Sequence, residues 1–381
     1  MKISLITNIP TPYRDTQFAL MKKKYPSLVI YFTGDNRENR LWDTNKKDYY
    51  VFLKKVFSIG KFGQLNYGLL NIVKNNDVLV IGGYEQPSYM LLILLAKLYK
   101  VPTILMFDGV APSRIASCKS SVKYLLKKFL IRNFSVIFGN GTVSKKYFTE
   151  CFGVDENKIF NQFLSVDQAR FKEHIDRKDA IKNSCREQHA VDLKSKVILY
   201  SGRFIERKRV LDLIDAIGLV VLSDYNINIK LLLIGDNNEA SIALYKNRCK
   251  EKSVDCLFLG FIQKEELHQY YFCSDLLVLP SLDEPWGLVV NEAVYSQLPI
   301  VASNDVGSAM DLVEDGVNGY IFERENIEDL SEKIILTLNL DIDIKNNKCS
   351  ELTEFWNFSA SLEDLQKAIQ YISIKKEIPY E

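Results

Sequence analysis

Three histidines and seven cysteines are all that this 381-residue chain offers a soft metal. The cysteines, at 118, 151, 185, 249, 256, 273 and 349, include no C-x-x-C pair, and His174, His189 and His268 are scattered. No zinc spacing can be assembled, and an odd, dispersed cysteine set fits a reducing cytosol better than a disulfide framework. G-x-G-x-x-G does not follow the first strand of either half, which weighs against a dehydrogenase. Long apolar runs are missing too. The most apolar stretch, YMLLILLAKLY at 89–99, is too short to span a bilayer and reads as a buried helix. The start, MKISLITNIP, reads as a strand with no cleavable apolar core behind it, so no signal peptide is expected. Neither an internal repeat nor a low-complexity segment is visible.

What the chain does have is an ordinary globular composition with an uneven charge. Hydrophobic residues make up 47% and the formal net charge is +1, a balance that conceals a split. Residues 1–170 carry 25 basic and 12 acidic side chains, and residues 171–381 carry 24 and 36. A basic first part suits an anionic surface or ligand, such as a membrane or a phosphate-bearing lipid. Uneven solvated charge is the competing reading.

Short apolar runs alternate with helix-like segments almost throughout, the pattern of parallel sheets covered by helices on both faces. KISLIT, LVIYFTG, DVLVIGG, TILMFDG and SVIFGNG read as strands of one α/β domain, residues 1–172. SKVILYSG, IKLLLIGD, CLFLGF, DLLVLPS, PIVASN and GYIFE read as strands of a second, residues 197–355. The polar stretch 173–196 reads as a linker. Residues 356–381 read as a terminal helix that returns to the first domain. Two doubly wound domains facing a central cleft are expected, with ligands beyond the strand C-termini.

Two loops of the second domain carry the charge that such a site needs. In YSGRFIERKRVLDLIDAI (200–217), Gly202 ends a strand and Arg203 and Lys208 flank the turn into a helix starting near Val210. Two cations and helix amides at one turn suit a diphosphate. A solvated basic loop is the bland alternative. In PSLDEPWGLVVNEAVYSQ (280–297), Glu284 precedes a turn at Pro285 and Gly287, and Glu292 sits on the helix that follows. Carboxylates accept hydrogen bonds from polyol hydroxyls, and the first amides of the helix suit phosphate or sugar oxygens. Taken alone, Glu284 reads equally as a helix-cap partner and Glu292 as an exposed helical residue.

The run from Glu284 to Glu292 resembles the E-x7-E motif of family 4 glycosyltransferases, which have the GT-B fold. SGRFIERKRVLDLIDA resembles that family's G-R-x4-K-G segment, and LLLIGD its central strand. FLGFIQKEELHQYYFCSDLLVLPS and LPIVASNDVGSAMDLVEDGVNGYIF resemble the stretches on either side of the motif. The likeness covers residues 200–355, with Arg209 standing where the family usually has Gly. It implies that Arg203 and Lys208 bind the donor diphosphate, Glu292 the ribose and Glu284 the transferred sugar. Gly287, Leu288 and Val289 would give backbone amides, and Gly260, Phe261, Ile262 and Leu267 would line the base pocket. The implied reaction retains anomeric configuration and needs no metal or other cofactor. DID at 341–343, the only D-x-D, is not read as a metal site.

In the first domain, NIPTPYR (8–14) takes the place of the family's Gly-rich loop and resembles the start of a bacterial surface-polysaccharide subgroup. Pro12, Tyr13 and Arg14 are candidate acceptor or phosphate contacts. Asp108 falls where the family often has a His or an acid near the sugar. Glu85, beside a Gly pair at a strand end, is a candidate acceptor contact. Asp167 reads as structural and His268 as a surface histidine. KSSVKYLLKKFLIRNF (119–134) puts Val122, Leu125, Leu126, Phe129 and Leu130 on one face, flanked by Lys119, Lys123, Lys127, Lys128 and Arg132. Such a helix can lie in a headgroup interface or cover a domain core. The expectation is a retaining hexosyltransferase, cytoplasmic and peripheral on the membrane's inner face. It would take a nucleotide diphosphate sugar, UDP before GDP, to a lipid-linked glycan in O-antigen or capsule assembly. An epimerase or phosphorylase of similar fold, or a non-catalytic partner subunit, are the alternatives. Nucleic acid is not expected as a partner.

Overall fold

The computed structural model describes the chain except for residues 35–46, 59, 61–62, 118–121, 224–226, 236–237 and 377–381. Lys119, Cys118 and the last five residues therefore lie outside the described part. The chain divides into two compact units. The first comprises Met1–Gly109, Arg114–Ser165 and Trp356–Glu381, and the second Val110–Ser113 and Val166–Phe355.

The first unit is built on β1 (Ile3–Thr7), β2 (Val29–Phe32), β3 (Tyr50–Phe52), a small antiparallel pair β4 (Lys55–Ser58) and β5 (Gln64–Asn66), and then β6 (Val78–Ile81), β7 (Thr103–Phe107), β8 (Val136–Gly139) and β9 (Ile159–Asn161). Seven of these form one parallel sheet in the order β3-β2-β1-β6-β7-β8-β9. Its central strands are buried on both faces, which is why they read as unbroken apolar runs. The three-residue strands β3 and β9 escaped the sequence reading because so short a segment carries no periodicity.

The last helix, Phe358–Lys376, belongs to this unit despite its position in the chain. Leu365, Ala368, Ile369 and Ile372 enter the same core as Ile3, Phe18 and Val136. Asn357 starts the helix by accepting from the amides of Ser359 and Ala360.

The second unit carries β10 (Lys196–Ser201), β11 (Ile229–Ile234), β12 (Asp255–Gly260), β13 (Leu276–Leu279), β14 (Ile300–Ser303) and β15 (Gly319–Phe322), all parallel in the order β12-β11-β10-β13-β14-β15. Strand order reverses between the neighbours β10 and β13. The helices that follow these two strands pack on opposite faces of the sheet, so the β10/β13 junction is the switch point at which such sheets place their ligand crevice.

The polar stretch 173–196 is not a linker. It is largely helical, with a helix over Lys178–Gln188 packed inside the second unit against the helix Leu267–Cys273. Arg186 is 3% exposed and donates to the Cys273 carbonyl at 3.1 Å and to Asp275 at 2.6 Å. Arg186 and Lys182 both pair with Asp275 just before β13, while most of the other charges of this stretch stay exposed. Among the described residues no helix is long and apolar enough to cross a membrane.

Candidate active site

Two loops meet at the β10/β13 crevice. The first, residues 202–209, leaves β10 and ends in a short 3-10 turn over Glu206–Lys208 before the helix Val210–Leu222. The second, residues 280–287, leaves β13 and ends at the helix Leu288–Tyr295. They are stitched together by backbone and charge. The Leu282 amide donates to the Arg207 carbonyl at 2.7 Å, and the Arg207 guanidinium donates to the Asp283 carbonyl at 3.0 Å. The Lys208 ammonium pairs directly with the Glu284 carboxylate, and Arg207 stands 3.5 Å from the same carboxylate.

The sequence candidates of both loops thus converge. Glu284 is 8% exposed, so it is no solvated cap partner. Burial pulls the Lys208 ammonium below the ordinary lysine value. Glu284 opposes that shift, and Arg207 and Arg203 add to it. Arg203 is exposed beside this pair, its carbonyl accepting from the Tyr200 hydroxyl at 2.9 Å. An ammonium held this way, with a second cation next to it, is pre-positioned for an anion and already stripped of most of its water.

Glu292 is half-buried on the second helix and accepts from the Tyr271 hydroxyl. Tyr271 in turn reaches Ser201 at the end of β10, which ties Glu292 to the strand that carries Gly202. Burial pushes the Glu292 carboxyl up from the usual 4.5 to about 7, and the tyrosine hydrogen bond offsets part of that. The folded protein therefore holds this proton more tightly than the unfolded chain. The resulting stabilisation is complete below about pH 4 and is lost as pH rises through 7. Glu292→Gln is expected to raise stability at pH 8 by about 2 kcal/mol and to leave it unchanged at pH 4. Urea melts at both pH values measure this, and equal shifts would dismiss the buried proton.

Gly287 caps the second helix with φ +90, and a Cβ there would stand 2.9 Å from Leu279 Cδ2. Only glycine fits that turn without strain. The first-turn amides of Leu288 and Val289 have no intrahelical carbonyl to bond. On the other side of β10, the Gly202 amide donates to the Ile234 carbonyl at 2.9 Å, and the Gly235 amide to the Gly260 carbonyl at 3.0 Å. The ends of three neighbouring strands are thereby aligned. Phe261, Ile262 and Leu267 are half-buried just beyond β12.

Arg209, the departure from glycine, adopts φ +52 and ψ +39. A side chain in that left-handed conformation costs about 1 kcal/mol. Ion pairs to Asp212 at 2.8 Å and Glu325 at 3.7 Å offset the strain. Arg209→Ala is expected to lower stability by about 1 kcal/mol, because it loses the pairs and keeps the strain. Arg209→Gly should melt above the alanine variant. The reverse order would remove the strain argument.

Several functional residues escaped the sequence reading. Arg207 was visible in ERKRV but had no assigned partner. Asp305 is 2% exposed and accepts from the Asp283 amide at 2.8 Å and from Arg324 at 3.1 Å. Its carbonyl accepts from the Glu284 amide at 3.2 Å, and the Gly307 amide donates to the Glu284 carbonyl at 3.0 Å. The 303–308 segment is the strap that fixes Glu284. No local pattern marks it.

In the first unit the 8–14 segment is only half a loop, since Pro12 opens a helix over Pro12–Lys24. Arg14 is 5% exposed and is not free to reach a phosphate. Its guanidinium is held by Asp108 and Gln17, with Gln162 at 3.4 Å. Tyr13 donates to the other Asp108 oxygen at 3.4 Å. Asp108 directly follows β7 with its side chain half exposed (52%), so it presents an oriented carboxylate. Glu85 is exposed and pairs with Lys127. Asp167 accepts from the Ala169 amide at 3.0 Å, a turn-forming contact. His268 is not on the surface. It is 7% exposed and stacks on His174 with ring centres 4.4 Å apart. In DID, Asp341 accepts from the amides of Asp343 and Ile344, which makes it a helix cap.

Paired α/β units, the second with its charged loops at the switch point, define a GT-B fold. Residues 182–354, within the second unit and just under half of the chain, match the model of the glycosyl transferases group 1 family. Among solved structures, Anabaena HepE in complex with UDP superposes with a TM-score of 0.72 at 16% identity, over 97% of this chain and 100% of that one. A glycosyltransferase from Rickettsia africae gives 0.72 at 15%, over 97% and 98%. At such identities the likeness is one of fold. A Klebsiella pneumoniae protein described as an uncharacterized 41.2 kDa protein in the cps region is 27% identical over 241 residues, 62% of this chain and 60% of that protein. The lipopolysaccharide 1,2-N-acetylglucosaminetransferase of Salmonella typhimurium is 30% identical over 146 residues, 36% of this chain and 38% of the enzyme. The chain thus spans between about two-fifths and three-fifths of the length of these relatives.

Proposed function

We propose that this protein is a retaining glycosyltransferase of family 4. It moves a hexose or N-acetylhexosamine from a nucleotide diphosphate sugar to a lipid-linked glycan in the assembly of a bacterial surface polysaccharide, O-antigen or capsule. The observation that carries the reading is the convergence of Lys208, Arg207 and Arg203 with Glu284 at the β10/β13 crevice. The cations take up the charge that builds on the departing diphosphate, so the reading requires no metal. Glu284 and Glu292 accept from sugar and ribose hydroxyls, the ionised form of Glu292 being the better acceptor. Asp108, oriented by Arg14, accepts from a hydroxyl of the sugar or of the acceptor.

In the retaining route, the bond from C1 to the diphosphate oxygen breaks and a bond from the acceptor oxygen to C1 forms on the same face. The acceptor's proton passes to the departing phosphate. UDP is the nucleotide of choice because the structural neighbour HepE was solved with it. The relatives from a cps region and from lipopolysaccharide assembly support the pathway.

A donor screen tests the reading. Purified protein is incubated with each nucleotide sugar and a bacterial lipid extract, and the glycolipid formed is identified by mass. One donor should yield a product heavier by one sugar residue. Free sugar released or converted without acceptor would indicate an epimerase or phosphorylase, and no reaction with any donor a non-catalytic subunit. Glu292→Ala should weaken UDP binding at least tenfold by calorimetry. An unchanged Kd would remove the ribose contact.

A further inference from the structure

The first unit leaves an apolar surface uncovered, and it extends beyond the amphipathic helix that the sequence reveals. On the helix Val122–Arg132, Val122 is 86% exposed, Leu125 61%, and Leu126 and Phe129 each 49%. On the helix Pro87–Leu98, Leu94 is 45% and Leu98 73% exposed. The two helices adjoin, because the Lys97 ammonium sits 5.6 Å from the centre of the Phe129 ring. A third helix, Leu69–Lys74, joins the edge of the surface where Lys74 lies 5.2 Å from the Tyr99 ring. A chain that only had to stay in water would not present so many large aliphatic side chains together.

Charge decides what covers this surface. The three helices contain no Asp or Glu, while Lys74, Lys97, Lys123, Lys127, Lys128 and Arg132 stand along them. Glu85, the acid at their border, is already paired with Lys127. A second copy docking symmetrically would set these cations against themselves with no acids to answer them. Leucine and phenylalanine ringed by cations match a bilayer instead, apolar below and anionic at the headgroups.

We infer that the face formed by helices 87–98 and 122–132 docks on an anionic lipid bilayer, its leucines and Phe129 entering the headgroup region. The pairing of Lys127 with Glu85 then brings the loop after β6 to the lipid surface, where a lipid-linked acceptor would arrive. That last link alone rests on the glycosyltransferase reading.

The test is sedimentation of the full chain with vesicles of phosphatidylcholine alone or with 30% phosphatidylglycerol. Partition is expected to be at least tenfold stronger on the anionic vesicles and to drop at least fivefold in 0.5 M NaCl. Leu125→Ser with Phe129→Ser, and separately Lys97→Ala with Lys123→Ala and Lys128→Ala, should each weaken it at least tenfold. Leu222→Ser, at an exposed leucine of the second unit (75%), should change nothing. Thermal melts report whether each variant is folded. Equal partition on both vesicles, no partition at all, or indifference to the patch variants would overturn the inference. So would a dimer in light scattering that the Leu125/Phe129 variant dissolves. UDP calorimetry on the same variants is expected to be unchanged. A wild-type protein that sediments with vesicles but binds no nucleotide would sink the donor site and leave the docking face standing.

Discussion

Lys208→Met should lower kcat by 10²–10³-fold, about 3–4 kcal/mol of barrier, with the fold retained. The ammonium is the charge held closest to Glu284, and it is mostly desolvated, so its attraction for a departing diphosphate is little screened. The substitution also strands a carboxylate that is 8% exposed, with Arg207 at 3.5 Å as its remaining partner, and stability should fall by about 1–2 kcal/mol. Adding Glu284→Gln to Lys208→Met separates the two effects. The double variant should regain stability, which assigns that loss to the stranded carboxylate, while the fall in kcat of the folded single variant reports the missing cation. Rates at saturating donor and thermal melts on the same samples decide it. A Lys208→Met enzyme within threefold of wild type would leave the diphosphate site without its main cation.

Gly307→Ala is the second large expected effect, and it acts without touching any ligand group. A Cβ on residue 307 would lie 2.2 Å from the Pro285 carbonyl oxygen, inside any tolerable contact, and both partners are backbone. The loop from Glu284 to Gly287 must therefore shift by about an ångström. That breaks the bonds from the Gly307 amide to Glu284 and from the Ser308 amide to the Trp286 carbonyl, which measure 3.0 and 2.9 Å. Stability should drop by about 2–3 kcal/mol. Activity should fall about 10²-fold, the usual consequence of misplacing a binding carboxylate by that distance. Intact activity in a folded Gly307→Ala protein would show that the position of Glu284 is not critical.

The eight-residue spacing from Glu284 to Glu292 was legible because strand, turn and helix follow one another locally. A glycine at the turn and apolar residues at helical spacing suffice to reveal it. The same holds for the cations around the turn at 203–208. The packing of Arg14 was not legible for the opposite reason. Its partner Asp108 lies 94 residues away, so a free side chain and a buried orienting one look identical in sequence. His268 was misplaced in the same way, and the burial of Arg186 within the stretch read as a linker went unseen, since polar side chains look solvated until a partner is brought to them. The strap through Asp305 and Gly307 carries no periodic signal at all.

Periodicity and short-range turns were enough to declare two parallel α/β units, because that property depends on neighbours a few positions apart, whereas the residues proposed to grip a phosphorylated sugar were singled out by the likeness of residues 200–355 to family 4 glycosyltransferases. Which of those residues come together was decided by strand order. Only when β10 and β13 become neighbours do loops some seventy positions apart share one crevice, and only there does burial turn Lys208, Glu284 and Glu292 from ordinary surface charges into a prepared site.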